Sequence, residues 1–356
     1  MEVDTIELLR KKLTRQDGWQ QIGSLTIHFT DACNLRCCYC SYAEQHRSSM
    51  IQMETLAEAL SHNPIYSCIV GGGEPTLVRS REVDFISLLE QFPFTQSVYM
   101  ITNGTVMPGG FEKVADRFDF IRLSLDAATP ETYRLLKGVD RFNQVLSNIR
   151  LYLKTDIRQV GVSFIIQKAN LREVPDVIRL LAPIYFEFPG RFFLKFKNLR
   201  AATESLTSQK EVDRVYLEVK ELRESSALLE SFLDLATNSV EIPQLSEGID
   251  SKPPLSERCY YALLYCLVRT NGDIYPCGLM SRKEQHCLGN IRRVSWDVIC
   301  DRQWTFFEQA GKGCLDCVGC WDEKKNRVLE EILTMGLQPP PSLTRLGAIN
   351  GLYCRW

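Results

Sequence analysis

Six short apolar runs recur along the chain, at residues 25–29, 67–71, 97–101, 120–125, 160–166 and 192–196. They are rich in Val, Ile, Phe and Leu and almost uninterrupted, the pattern of parallel strands buried on both faces. Helix-period patterns lie between them, at residues 54–61, 82–91, 110–117, 142–153 and 171–181. Thr129-Pro130-Glu131 and Glu173-Val174-Pro175 mark helix starts, because proline loses little in a first turn. A repeated βα unit allows a β/α barrel or an open doubly wound sheet.

The placing of the unusual residues separates the two. A cysteine loop follows the first run, Gly71-Gly72-Gly73-Glu74-Pro75 the second, and Thr102-Asn103-Gly104 the third. Ser124-Leu125-Asp126 closes the fourth and Gln167-Lys168-Ala169-Asn170 follows the fifth. Each sits at the C-terminal end of a strand, where barrel enzymes build their sites. A doubly wound sheet gathers ligand contacts at one switch point instead. The expected fold is therefore α/β, a partial (βα)6 TIM-like barrel.

Within Cys33-Asn34-Leu35-Arg36-Cys37-Cys38-Tyr39-Cys40, the residues Cys33, Cys37 and Cys40 stand in C-x3-C-x2-C spacing. Three thiolates on one loop can hold three irons of a four-iron cluster. The fourth iron then stays open, as a catalytic metal position does. A zinc knuckle is the alternative, but zinc loops use C-x-x-C with a matching pair nearby, and no such pair lies near this loop. In the second loop, glycines let the backbone approach a ligand closely. Glu74 adds a carboxylate and Pro75 fixes the turn, a set suited to an ammonium group.

The cysteine octapeptide resembles the signature of the radical S-adenosylmethionine (radical SAM) enzymes, and Gly72-Gly73-Glu74-Pro75 resembles their GGEP motif. The resemblance implies that Cys33, Cys37 and Cys40 carry the catalytic [4Fe-4S] cluster. S-adenosyl-L-methionine would chelate its open iron and be cleaved reductively to a 5′-deoxyadenosyl radical, which abstracts a hydrogen atom from substrate. It further implies that Tyr39 packs on adenine and that the GGEP residues hold the amino group. Asn103 and Ser124 are the next candidate cofactor contacts, ahead of Asp126 and Gln167. Arg122 is read either as a rim salt bridge or as a contact to a carboxylate. Lys137-Gly138 and Arg141-Phe142 are read mainly as a helix-linking turn.

A polar segment at residues 246–254 follows a long helical pattern over 207–235 with a break near Ser225-Ser226. It sets an expected division into an extension (1–21), the barrel (22–245), a cysteine-rich domain (255–325) and a tail packing on the barrel (326–356). Cys259, Gly272 and Cys277 precede Cys314-Leu315-Asp316-Cys317-Val318-Gly319-Cys320, and Asn271-Gly272 reads as a hairpin turn. Gly289-Asn290-Ile291 is expected to open a helix. This arrangement resembles the SPASM/Twitch extension of radical SAM enzymes, which implies auxiliary [4Fe-4S] chemistry. Cys259, Cys277 and two of Cys314, Cys317 and Cys320 would hold one cluster, the favoured count. A second would have to recruit Cys266 and Cys354, with Cys287 or Cys300. The full SPASM pattern is not met, because Cys320 comes too early, and a four-thiolate zinc site is the rival. Cys68 and Cys300 read as buried fillers.

A net charge of −2 gives no push toward nucleic acid or an anionic membrane. The longest apolar run, residues 259–268, is far shorter than a membrane span, and no signal-peptide pattern opens the chain. Fourteen cysteines in a chain of 356 residues fit metal binding in a reducing, cytoplasmic setting better than a disulfide scaffold. The expected activity is oxidation or a related radical modification of a small polar metabolite. An auxiliary cluster would move electrons, and flavodoxin or ferredoxin would act as donor. Cys259 and Cys277 share the C-x17-C spacing of aminocyclitol dehydrogenases in the family. Crosslinking or epimerisation of a peptide is the alternative, with Cys354, Cys287 or Cys266 as a hydrogen donor. A non-catalytic iron–sulfur protein is the alternative of another class.

Overall fold

The computed structural model describes residues 5–46, 49–61, 65–79, 84–91, 97–198, 209–237, 256–311, 317 and 323–335. Cys314, Cys320, Cys354 and the proline-led tail lie outside the described residues. Two compact units alternate along the sequence. The first takes in residues 1–32, 47–98 and 253–351, the second 33–46, 99–252 and 352–356.

The first unit holds helix α1 (Thr5–Thr14), strand β1 (Ile22–Thr30), α2 (Met53–Ser61), β2 (Ile65–Gly72) and α3 (Phe85–Gln91). β1 is buried at every position, as expected of a strand flanked on both edges and covered on both faces. On one edge it runs parallel to β2, with Leu25 opposite Cys68 and His28 opposite Gly71. On the other it runs parallel to β7 (Tyr265–Val268), which follows the short helix α9 (Tyr261–Leu264). β7 turns back into β8 (Asp273–Tyr275), which pairs antiparallel with β9 (Gly289–Asn290). The Asn271-Gly272 turn is present. Gly272 sits at φ +86°, its N–H reaches Arg269 O, and Arg269 N–H reaches Asp273 O. That is a three-residue hairpin loop closed by a glycine at positive φ. Helices α10 (Trp296–Gln309) and α11 (Glu323–Met335) complete the unit.

The second unit holds β3 (Ser97–Thr102), β4 (Phe120–Ser124), β5 (Gln159–Ile166) and β6 (Phe192–Asn198). From Tyr99 onward these strands pair in sequence order, all parallel. Helices α4 (Pro130–Lys137), α5 (Phe142–Leu153), α6 (Val174–Glu187), α7 (Gln209–Glu224) and α8 (Ala227–Thr237) lie between and after them. The helical pattern over 207–235 breaks at Ser225-Ser226 into α7 and α8. The six βα units in succession are those of a partial (βα)6 TIM-like barrel followed by a cysteine-rich region. Among the described residues no helix is long and apolar enough to cross a membrane.

Two expected helices are absent. Residues 110–117 form two 3-10 turns, Phe111–Lys113 and Ala115–Arg117, because the segment is too short to repay helix nucleation and closes i→i+3 bonds instead. Gly289-Asn290 does not open a helix. Gly289 sits at φ +146°, and Asn290 Nδ2 donates to Asp273 Oδ1 at 2.8 Å, which fixes the pair as β9. The helix starts later, behind Ser295.

Candidate active site

The cysteine loop leaves β1 through Asp31 and Ala32. In the second unit it is held by the C-terminal end of α4. The backbone N–H groups of Arg36 and Cys38 donate to the carbonyls of Lys137 and Leu136 at 2.9 and 3.1 Å. A helix end leaves such carbonyls without partners of its own, so the loop and the helix end satisfy each other. Leu35 is buried as the apolar pin. Cys40 N–H closes a turn onto Cys37 O at 3.1 Å.

Asn103 organises the start of the loop. Its Nδ2 donates to Asn34 Oδ1 at 2.8 Å and reaches Cys33 Sγ at 3.9 Å, while its Oδ1 accepts from Thr105 N at 2.9 Å. Asn34 Nδ2 donates to Thr105 Oγ1 at 2.8 Å. At the other end, Tyr42 N–H reaches Cys40 Sγ at 3.4 Å and His46 Nε2 lies 3.6 Å from it.

Tyr39 is tied down as well. Its hydroxyl donates to Asp126 Oδ2 at 2.6 Å. The same oxygen accepts from Lys137 Nζ, which lies 5.4 Å from the Tyr39 ring centroid. Asp126 and Lys137 are almost wholly buried. Asp126 sits at φ +58°, a conformation Asp tolerates better than most residues. Asn170 Nδ2 holds the Asp126 carbonyl at 2.8 Å. Burial and the Asp126 charge push the Tyr39 hydroxyl far above its ordinary range.

In the first unit the glycine loop closes on the residues that lead into Cys33. Gly73 N–H donates to Thr30 O and Glu74 N–H to Ala32 O, both at 2.7 Å. A Cβ at Gly73 would lie 2.3 Å from Ala32 O, and one at Gly72 would lie 2.4 Å from Thr30 O. The glycines are thus required by chain-to-chain approach. Glu74 is fully buried. Its Oε1 accepts from Thr76 Oγ1 at 2.6 Å and Thr76 N at 3.1 Å, capping the turn Pro75–Leu77. Asp31 Oδ2 accepts from Ser49 Oγ at 2.6 Å and from Thr270 Oγ1 in the β7–β8 turn.

In the cysteine-rich region Cys259 and Cys277 are half-buried and Cys317 is buried. Cys277 Sγ accepts from Met280 N–H at 3.4 Å. Cys266 lies inside β7 and accepts from Gln303 Nε2 at 3.1 Å. Cys300 donates to Gln20 O at 3.2 Å and Cys287 to Gly289 O at 3.3 Å. Cys68 is buried within β2, and burial pushes its thiol well up.

The donor chemistry fits a cluster. Burial, countered by Lys137, pushes the Cys37 thiol up to about 11, and Asp126, Cys40 and Cys33 add to the rise. Three thiolates so close together need a positive core, which iron supplies. Among the described residues no three His, Cys, Asp or Glu side chains converge as ligands of one ion. Cluster ligands bind separate irons and stand further apart.

The Asp126–Lys137 pair was not legible as part of the site. Its signal was a lysine beside Tyr133 and Leu136 on the buried face of α4. Ser124 Oγ lies 3.5 Å from Ser163 Oγ.

The radical SAM superfamily model matches residues 27–181. The chain is 31% identical over 180 residues to a GTP 3′,8-cyclase of Heliobacterium modesticaldum, covering 48% of this chain and 55% of that protein. It is 28% identical over 170 residues to the GTP 3′,8-cyclase of Petrotoga mobilis, covering 45% and 52%. The chain thus spans about half the length of the curated relatives it matches. Its fold is similar to native anSMEcpe with bound AdoMet and Kp18Cys peptide, at TM-score 0.58 and 19% identity over 84% of this chain and 86% of that one. It is also similar to Streptococcus suis SuiB bound to precursor peptide SuiA, at TM-score 0.57 and 16% identity over 87% and 73%.

Proposed function

We propose that this chain, whose residues 27–181 match the radical SAM superfamily model, is a radical SAM enzyme that modifies a peptide. The observation that carries the radical chemistry is the half-buried trio Cys33, Cys37 and Cys40 on a loop fixed at α4 and Asn103. When bound there, a four-iron cluster supplies the electron that opens the sulfonium of S-adenosylmethionine and starts hydrogen abstraction.

The chain's own residues do the positioning. Asn103 orients Cys33 and Asn34, and Asp126 with Lys137 fixes Tyr39. Gly72-Gly73-Glu74-Pro75 offers backbone groups for the cofactor's ammonium, and Ser124 a hydroxyl for its carboxylate. Cys259, Cys277, Cys314, Cys317 and Cys320 are the set for one auxiliary cluster. Cys266 and Cys300, with hydrogen bonds in the core, favour that count over two. Flavodoxin or ferredoxin suits the role of electron donor.

The peptide reading draws on fold. Likeness reaches across 84 and 87% of the chain to two structures described with bound peptides, well beyond the residues 27–181 that match the superfamily model. The small-metabolite reading is the second. It draws on identity to GTP 3′,8-cyclases, which covers under half of this chain.

The test is anaerobic reconstitution, then incubation with S-adenosylmethionine and dithionite. About eight irons per chain and 5′-deoxyadenosine are expected. Peptides encoded beside the gene are then added and their masses followed. Failure to form 5′-deoxyadenosine with any reductant overturns the reading and favours a non-catalytic iron–sulfur protein. Turnover with a nucleotide and none with peptides favours the metabolite.

A further inference from the structure

Helix α4 carries two basic residues with opposite fates. Arg134 is exposed, whereas Lys137 is only 2% exposed. A lysine ordinarily keeps its ammonium in water, so burial beside the cysteine loop is an unfavourable placement that something must offset. Asp126, itself fully buried, does so through Oδ2, which accepts from Lys137 Nζ. Asp126 is in turn held from three sides. Its Oδ1 accepts from Ile165 N–H at 2.5 Å, its Oδ2 from the Tyr39 hydroxyl at 2.6 Å, and its carbonyl from Asn170 Nδ2 at 2.8 Å.

Apolar residues often replace a buried ion pair without loss of stability, so stability alone does not account for a lysine here. The placement of the charge does. Lys137 Nζ lies 5.4 Å from the centre of the Tyr39 ring, the residue before Cys40. Its carbonyl receives Arg36 N–H, the residue before Cys37, at 2.9 Å. Lys137 thus touches the loop on both sides of Cys37-Cys38, by backbone before and by side chain after. Behind burial, Lys137 has the largest influence on the Cys37 thiol and favours its thiolate, and Asp126 follows with the opposite sign. The pair is therefore oriented, with its positive end toward the thiolates.

An iron–sulfur cluster becomes more negative when it takes up an electron, and net charge is one of the properties that set its potential. A positive charge fixed out of water acts on it more strongly than one in solvent. We infer that the buried Lys137 ammonium eases reduction of the cluster held by Cys33, Cys37 and Cys40, and that Asp126 is the anchor that keeps it there. Lys137 is a positioning residue: it braces the loop and acts on the cluster by charge, without ligating iron. One electron passes from a low-potential donor, dithionite in the test, to the cluster, and Lys137 stays protonated throughout. The inference rests on the radical SAM reading, and its test reads a potential, separately from turnover.

Anaerobically reconstituted protein is titrated with dithionite at fixed potentials and pH 6.5 and followed by electron paramagnetic resonance. The signal that changes on adding S-adenosylmethionine is assigned to the open cluster, and its midpoint does not depend on how fully the protein is loaded. Lys137→Met should make the reduced form about tenfold less favoured, ~59 mV lower for a one-electron couple. Lys137→Arg keeps the charge and should stay within about threefold of wild type. Asp126→Asn should shift the balance about threefold the other way. Asparagine tolerates the left-handed backbone and keeps an acceptor oxygen for Tyr39, but removes the negative charge. Bracing alone would not give opposite signs from the two halves of one pair. Circular dichroism checks folding, and if Lys137→Met holds no cluster, Asp126→Asn decides. An unchanged potential in Asp126→Asn, or a shift in the same direction in Asp126→Asn and Lys137→Met, overturns the inference. Potentials as expected with no 5′-deoxyadenosine formed would count against the proposed activity alone.

Discussion

Lys137, the last residue of α4, donates from Nζ to Asp126 Oδ2 in a buried ion pair, and Tyr39 of the cysteine loop donates to the same oxygen at 2.6 Å. One carboxylate thereby joins a helix end, a strand end and the residue before Cys40. The backbone adds to it, since Arg36 N–H donates to Lys137 O at 2.9 Å. The second unit's framework thus holds the loop by both its backbone and its Tyr39 side chain.

Lys137→Met leaves the Asp126 charge buried with its cation removed. Breaking a buried pair from one side costs about 3–5 kcal/mol. We expect a loss of that order in urea unfolding, together with fewer irons retained after reconstitution. Lys137→Met combined with Asp126→Asn should recover part of the stability, because no lone charge then remains. Equal stability of the single and double variants would show that the pair does not act as a unit.

Gly73→Ala and Gly71→Ala make a matched comparison. A Cβ at Gly73 would lie 2.3 Å from the Ala32 carbonyl, whereas one at Gly71 meets nothing within 4 Å. Overpacking against backbone costs roughly 1–3 kcal/mol, and the strain falls on the residue that precedes Cys33. Gly73→Ala should lower both the urea midpoint and iron content. Gly71→Ala should stay within about 1 kcal/mol of wild type.

The strands were legible because each is a continuous apolar run, and Cys33, Cys37 and Cys40 because their spacing is local. Residues 110–117 and 289–291 carry an apolar period over too few residues to separate an α-helix from 3-10 turns or a strand. The Asp126–Lys137 pair escaped for a different reason. Its partners are eleven positions apart, and only the αL bend at Asp126 aims the carboxylate at the end of α4. Glu74 and Asn103 read as cofactor contacts, and their side chains also brace the loops through Thr76, Asn34 and Thr105. Short polar motifs at strand ends advertise a ligand and a backbone brace alike.

Asn103→Ala removes the donor to Asn34 and the N–H reaching Cys33 Sγ at 3.9 Å. Loss of a buried hydrogen-bonding side chain costs about 1–3 kcal/mol. Hydrogen bonds to the sulfurs of a cluster also tune its potential. With one fewer, the reduced form is less well stabilised, so the midpoint potential of the reconstituted protein should move negative. Spectroelectrochemistry measures it, and an unchanged potential would limit Asn103 to bracing the loop.

His28 lies buried in β1, and that burial, outweighing the Asp31 charge, pulls its pKa from 6.5 down to about 4. The unfolded chain takes up a proton near the ordinary histidine value, while the folded chain resists until about pH 4. Between those values the unfolded state binds more protons, so stability rises with pH and is lost as pH falls. From pH 6.5 to 5 this one group should remove about 2 kcal/mol. That window lies above the ordinary range of most carboxylates, which keeps their titration out of the slope. Urea unfolding across it should show the decline, and His28→Gln should flatten it. A profile with the same slope in both proteins would assign the acid sensitivity elsewhere.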